Sequence, residues 1–105
     1  MDTKTDALVS RALEGDRDAL EALLAEVQDT VFNLSLRMLG TPADAEDASQ
    51  DILVRVMTNL ASFRRESSFS TWVYRIAVNF LIDYKKSMFA HAPLNFDFYG
   101  ADIAS

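Results

Sequence analysis

Phe63-Arg64-Arg65-Glu66-Ser67-Ser68-Phe69-Ser70-Thr71-Trp72-Val73-Tyr74-Arg75-Ile76-Ala77-Val78-Asn79 joins a short basic, serine-rich loop to the start of a helix. Its second half sets the fold class. Phe69, Trp72, Val73, Ile76 and Ala77, continued by Phe80, Leu81 and Tyr84, recur at i, i+3, i+4 and i+7, the period of one buried helix face. Ser67 or Ser68 stands where an N-cap is needed. Tyr74, Arg75, Val78, Asn79, Asp83 and Lys86 are left on or near the outer face. Cations, aromatic rings and amide side chains crowded at a loop–helix junction suit the capture of unpaired nucleic-acid bases. Arginine and lysine neutralise phosphates, while aromatic and planar groups stack on exposed bases. The same residues also make a capped amphipathic helix, so the flanking sequence has to decide.

Upstream, the pattern stays helical. A first helix is expected from about residue 6 to 14, ended by Gly15 as a C′ residue. Asp16 then caps a long second helix running to about Leu39, with Leu20, Leu23, Leu24, Val27, Val31, Leu34 and Met38 as its core stripe. Gly40 ends it, and Thr41-Pro42-Ala43-Asp44 restarts the chain. Thr41 is a good N-cap, Pro42 at N1 loses no hydrogen bond, and Asp44 at N3 resembles a capping box. The third helix is expected from Pro42 to about Ala61, burying Ala45, Ala48, Ile52, Val56 and Leu60 together with Leu53 and Met57. Glu46, Asp47, Gln50, Asp51, Val54 and Arg55 lie mostly on its other side. Downstream of about Ser87, one proline, one glycine and unphased aromatics read as an irregular tail that docks on the domain or on a partner. The expectation is an all-α fold: a compact bundle of about four helices over residues 1–87, with a linker or tail at 88–105.

Composition agrees. Only three glycines and two prolines among 105 residues favour long helices over strands and turns. The absence of cysteine excludes disulfides, thiolate metal sites and a thiol nucleophile. No signal-peptide pattern opens the chain and no apolar run reaches membrane-spanning length, which makes the cytoplasm the expected location and membrane insertion unexpected. Charge is unevenly spread. Residues 1–59 hold five Lys/Arg against twelve Asp/Glu, a balance of −7. Residues 60–86 carry Arg64, Arg65, Arg75, Lys85 and Lys86 against Glu66 and Asp83, a balance of +3. Such polarity lets one side meet a basic partner and the other meet phosphate. Lys85 and Lys86 equally suit the negative end of a helix dipole.

Enzymatic constellations are poor. His91 stands alone beside Ala and Pro, and the acidic residues Asp44, Glu46, Asp47 and Asp51 lack the Glu-x-x-His pairs of helical di-metal sites. A first-turn acidic cluster is favoured by the helix dipole in any case. No glycine-rich phosphate loop is present. No catalytic residue, metal site or cofactor is expected.

Two motifs carry a resemblance. Asp-Ala-Glu-Asp-x-x-Gln-Asp at 44–51 and Phe-Arg-x-Glu-Ser-Ser-Phe-x-Thr-Trp-x-Tyr-Arg-Ile-Ala-x-Asn at 63–79 resemble region 2 of bacterial sigma-70 factors, and among these the extracytoplasmic-function group. The similarity spans roughly residues 10–87. It implies an all-helical domain that binds core RNA polymerase and recognises and opens the promoter −10 element. By position, Asp47, Gln50, Asp51, Val54 and Arg55 would meet the clamp helices of the largest polymerase subunit. Arg64, Arg65, Ser67, Ser68, Phe69, Ser70 and Thr71 would form the loop that holds a flipped base of the non-template strand. Trp72, Tyr74, Arg75 and Asn79 would lie at or beside the upstream edge of the melted DNA. An anti-sigma factor is a further partner the resemblance admits.

Two features depart from the family. Val78, Phe80 and Ile82 stand where further basic residues are usual, so DNA contact without polymerase is expected to be weak. The sequence ends at Ser105, without the helix-turn-helix domain that reads the −35 element. It is expected to be either a fragment of a longer factor or a self-standing module. The rival reading is a sigma-like protein-interaction module, bound by a regulator and making no direct DNA contact.

Overall fold

The computed structural model of the protein describes the backbone of residues 3–91 and the side chains of residues 3–88. Four α-helices carry the chain: α1 (Thr3–Leu13), α2 (Arg17–Leu39), α3 (Pro42–Thr58) and α4 (Phe69–His91), with a 3₁₀ turn at Leu60–Ser62. The signals that start them are those expected. Asp16 accepts from the Ala19 N–H, and Thr41 accepts from the Asp44 N–H ahead of Pro42. The Thr71 N–H donates to Ser68 Oγ at 3.1 Å, which settles the choice between the two serines. Gly40 ends α2 at φ 86°, a left-handed conformation that glycine adopts without a Cβ clash.

One core unites the helices. Leu8 and Val9 of α1, Leu23, Val27 and Val31 of α2, Ile52 and Val56 of α3, and Val73, Ala77 and Leu81 of α4 meet in a single apolar cluster. Across the tight Gly40–Thr41 turn, α2 and α3 pack as an antiparallel hairpin whose seam is built from small residues. Ala45, Ala48, Ser35 and Ser49 are all buried there. The two serines satisfy their hydroxyls on their own helices, Ser35 donating to the Val31 carbonyl at 2.8 Å and Ser49 to the Ala45 carbonyl at 2.6 Å. α4 lies antiparallel to α3, with Phe80 beside Arg55 and Trp72 beside the 3₁₀ turn.

Three expectations change. α3 stops at Thr58, because Asn59 takes over as C-cap and directs both its backbone N–H and its side-chain amide to the Arg55 carbonyl. Met57 is 41 % exposed, outside the buried face assigned to it. α4 continues to His91, through the point at Ser87 where an irregular tail was expected. Residues 88–90, Met, Phe and Ala, include good helix formers and no breaker, so the helix has no local reason to stop there. The remainder of the expected tail lies outside the described residues. Among the described residues no helix is long and apolar enough to cross a membrane.

Candidate nucleic-acid and protein interfaces

The loop between the 3₁₀ turn and α4 is built on an aromatic foundation. Phe63, Phe69 and Trp72 pack mutually, with centroids 5.8, 5.1 and 6.0 Å apart. Phe69 is only 4 % exposed, which corrects its expected part in base contact. The position after the N-cap points into the core, so its ring supports the loop from beneath. Trp72 is half-buried and forms the rim instead. Beside it opens a concavity of about 140 Å³ lined by Ser62, Phe63, Arg64, Glu66, Ser67, Trp72 and Arg75. Ser68 donates to Thr71 Oγ1 at 2.9 Å and Ser67 donates to the Ser68 carbonyl at 3.2 Å, so both hydroxyls hold the helix entry together. Ser70 and Thr71 are exposed on its first turn.

Arg64 and Arg65 do not act alike. Arg64 lines the concavity, whereas Arg65 is absent from its lining and bonds to Ser10 of α1 at 2.9 Å. Arg65 sits at φ 64°, in the left-handed region that costs a non-glycine residue about 1 kcal/mol.

A larger groove of about 550 Å³ continues from the same tryptophan along the α3–α4 seam. Arg55, Asn59 and Ser62 line one wall, and Trp72, Ile76, Asn79, Phe80, Asp83, Tyr84 and Ser87 the other. Asn79 is therefore brought to this groove and Arg75 to the smaller concavity. Tyr74, 46 % exposed, lines neither and stands on a different side of α4. Asn59 and Ser62 are absent from the sequence-based set. The pair Thr58-Asn59, both polar residues that compete for backbone carbonyls, was the available signal of a helix end there. The Tyr84 phenol is pushed above its usual range by burial, then by the carboxylates Asp44, Asp47 and Asp51. It stays protonated, and so able to donate, throughout the physiological range.

On α3, Asp47, Gln50, Asp51 and Val54 form an exposed patch, with Val54 50 % exposed. Arg55, also expected there, leans toward α4, its guanidinium 5.0 Å from the centre of the Phe80 ring. On the opposite flank Gln50 shares a cleft of about 190 Å³ with Glu46, Ser49 and Leu53 and with Gln28, Asp29 and Phe32 of α2.

This arrangement, an all-helical domain with an acidic α3 face and an arginine–serine–tryptophan pocket at the head of α4, defines a class. The family model described as Sigma-70 region 2 matches residues 23–88, and the chain belongs to that family, within its extracytoplasmic-function group. Among its relatives, the ECF RNA polymerase sigma factor SigW of Bacillus subtilis is 39 % identical over 75 residues, covering 71 % of this chain and 40 % of that protein. The ECF RNA polymerase sigma-E factor of Haemophilus influenzae is 35 % identical over 96 residues, covering 91 % of this chain and 50 % of that protein. The chain thus spans half or less of the length of these curated relatives. An NMR structure of an engineered region 2 of sigmaE in complex with GTAAAA superimposes with a TM-score of 0.75 at 32 % identity, covering 90 % of this chain and all of that one.

Proposed function

We propose that the chain works as the region 2 module of a transcription initiation factor, binding core RNA polymerase and recognising and opening the promoter −10 element. The observation that carries this reading is the concavity beside the capped start of α4, lined by Arg64, Ser67, Trp72 and Arg75. Melting is driven by binding. A base of the non-template strand that leaves the duplex loses a few kcal/mol of stacking and pairing. Stacking on an aromatic face returns about 1–3 kcal/mol per base, and each phosphate neutralised by arginine adds a salt-dependent increment. Trp72 offers the face, Arg64 and Arg75 the charge, and Ser67, Ser70, Thr71 and the free N–H groups of the first helical turn the polar contacts. Asn79, in the adjoining groove, is suited to the next nucleotides upstream.

Asp47, Gln50, Asp51 and Val54 of α3, with the carboxylates of Asp47 and Asp51 giving the patch its charge, form the surface for the clamp helices of the largest polymerase subunit, with Arg55 at its edge. The charge balance fits this division, acidic toward the polymerase and basic toward DNA. The location this work requires is the cytoplasm, where polymerase and promoter meet, and it involves no reaction catalysed by the chain.

The deciding measurement is capture of a single-stranded −10 oligonucleotide by the polymerase-bound chain. Replacing Ser67 and Ser70 together by Ala is expected to weaken capture several-fold while helicity is retained, about 0.5–1.5 kcal/mol per hydrogen bond lost. Unchanged capture would remove the loop from the DNA interface and favour a module that binds only protein.

A further inference from the structure

The two neighbouring arginines of the loop turn in opposite directions, and the second reaches a helix that has no part in the two interfaces above. At φ 64°, Arg65 carries its side chain across to α1, where the guanidinium donates to Ser10 Oγ at 2.9 Å. Fifty-five positions separate the partners. α1 is itself firmly seated: Leu8 and Val9 are buried in the core, and Thr5 donates to Glu26 of α2 at 3.0 Å. Arg11 pairs with Asp16 at 2.8 Å across the turn into α2. Ser10 therefore stands on a fixed base. The loop, in contrast, is anchored at its ends by buried Phe63 on one side and by the Ser68 cap on the other, and between them Arg65 makes the bond to α1. Arg64, Arg65 and Glu66 between them are exposed.

We propose that Arg65 is a positioning residue: through Ser10 it braces the middle of the base-capturing loop against α1, and it is not itself a phosphate contact. This rests on the reading of residues 64–71 as the loop that captures a base. An unbraced loop has to be ordered when the strand arrives, and the freedom then lost is subtracted from affinity. Bracing in the free domain removes that loss in advance. The left-handed backbone at Arg65 accompanies this division of labour between neighbouring side chains. Arg64 is left facing Trp72 while Arg65 is sent to α1.

A salt series separates a brace from a phosphate ligand. The chain is assembled on core RNA polymerase and titrated with single-stranded DNA that the wild-type assembly selects from a random pool, and amide exchange is followed across residues 64–67. Ser10→Ala deletes the acceptor on an exposed position. Arg65→Gly deletes the arm while keeping a residue at home at φ 64°. Each is expected to weaken binding about two- to ten-fold, the scale of one hydrogen bond. The double variant should be no weaker than Arg65→Gly alone, and Ser10→Ala should speed exchange across the loop. The slope of log K against log salt stays unchanged in both. Arg64→Ala, by comparison, should lower that slope by about 0.7, the value for one phosphate on a single strand. A similar fall in slope for Arg65→Gly, with Ser10→Ala silent, would make Arg65 a phosphate ligand and overturn the brace. Wild-type selection with both variants silent removes the brace alone. A wild-type assembly that selects no strand removes the capture reading and the brace with it.

Discussion

Asp16 performs two tasks with one carboxylate. One oxygen accepts from the Ala19 N–H and caps α2, while the other receives the Arg11 side chain from the end of α1 at 2.8–2.9 Å. These bonds, the Arg11 side chain first and the Ala19 N–H second, hold its carboxyl below the usual carboxylate range. The folded state therefore takes up the Asp16 proton less readily than the unfolded chain. Its contribution to stability is complete above the ordinary Asp pKa of about 3.9 and is lost as pH falls through the lower folded value. Asp16→Asn keeps a cap but removes the charge. The stability difference between wild type and Asp16→Asn, measured by denaturant unfolding, is expected to be full at pH 7 and to shrink below about pH 4. A difference independent of pH would show that the ion pair with Arg11 contributes nothing. Of the two partners of this turn, the sequence marked Asp16 as a cap and did not pair it with Arg11. Their meeting depends on Gly15 at φ 98° folding the turn back on itself.

At the scale of the element, α3 separates what a helical period can state from what it cannot. The sequence reading puts Ile52 and Met57 on one buried side although at 3.6 residues per turn they lie about 140° apart, and Ile52 is completely enclosed while Met57 is exposed. A stripe of period 3.6 has a width, and the neighbouring helices decide how much of it is covered. Here α2 and α4 close over the residues in line with Ala45, Ala48, Ile52 and Val56 and leave the flank at Met57 bare. Ile52→Ala is expected to cost about 2–5 kcal/mol in chemical denaturation, through lost burial and a residual cavity. Met57→Ala should change stability by about 0.5 kcal/mol or less. Equal losses at the two sites would mean that the Met57 flank is covered after all. The end of the helix follows a similar logic. Leu60 remains buried, so the hydrophobic pattern runs on beyond Thr58, but Asn59 diverts the backbone into a 3₁₀ turn and opens the groove that Arg55, Asn59 and Ser62 share with α4.

For the whole molecule, the antiparallel pairing of α3 and α4 sets an acidic exposed surface and a basic, aromatic pocket on adjoining sides of one rigid body. Arg55 over Phe80 lies on the boundary between them. Surfaces held this way are separable by substitution. Asp51 is exposed, so Asp51→Lys should leave the unfolding transition in place. Affinity for core RNA polymerase, read by fluorescence anisotropy, is expected to fall roughly tenfold, about 1.4 kcal/mol. Undiminished binding would move the polymerase surface off this face of α3.

The sequence by itself determined the four helices, the caps at Asp16 and Thr41, a serine cap at position 67 or 68, most of the core, and the paired motifs that mark the family. All of these are local signals. A cap bonds to an N–H three residues on, and an apolar stripe repeats every turn, so each can be read within a short window. Tertiary structure alone decided which way the loop arginines turn, that Phe69 lies beneath the pocket while Trp72 forms its rim, and that Arg55 leans on Phe80. It also decided which flank of α3 stays open. The turns of Arg55 and Arg65 depend on partners 25 and 55 positions away. The basic, aromatic stretch at 63–79 named the residues available for a site, and the packing of α1 and α3 around it sorted those that face the pocket from those that build it.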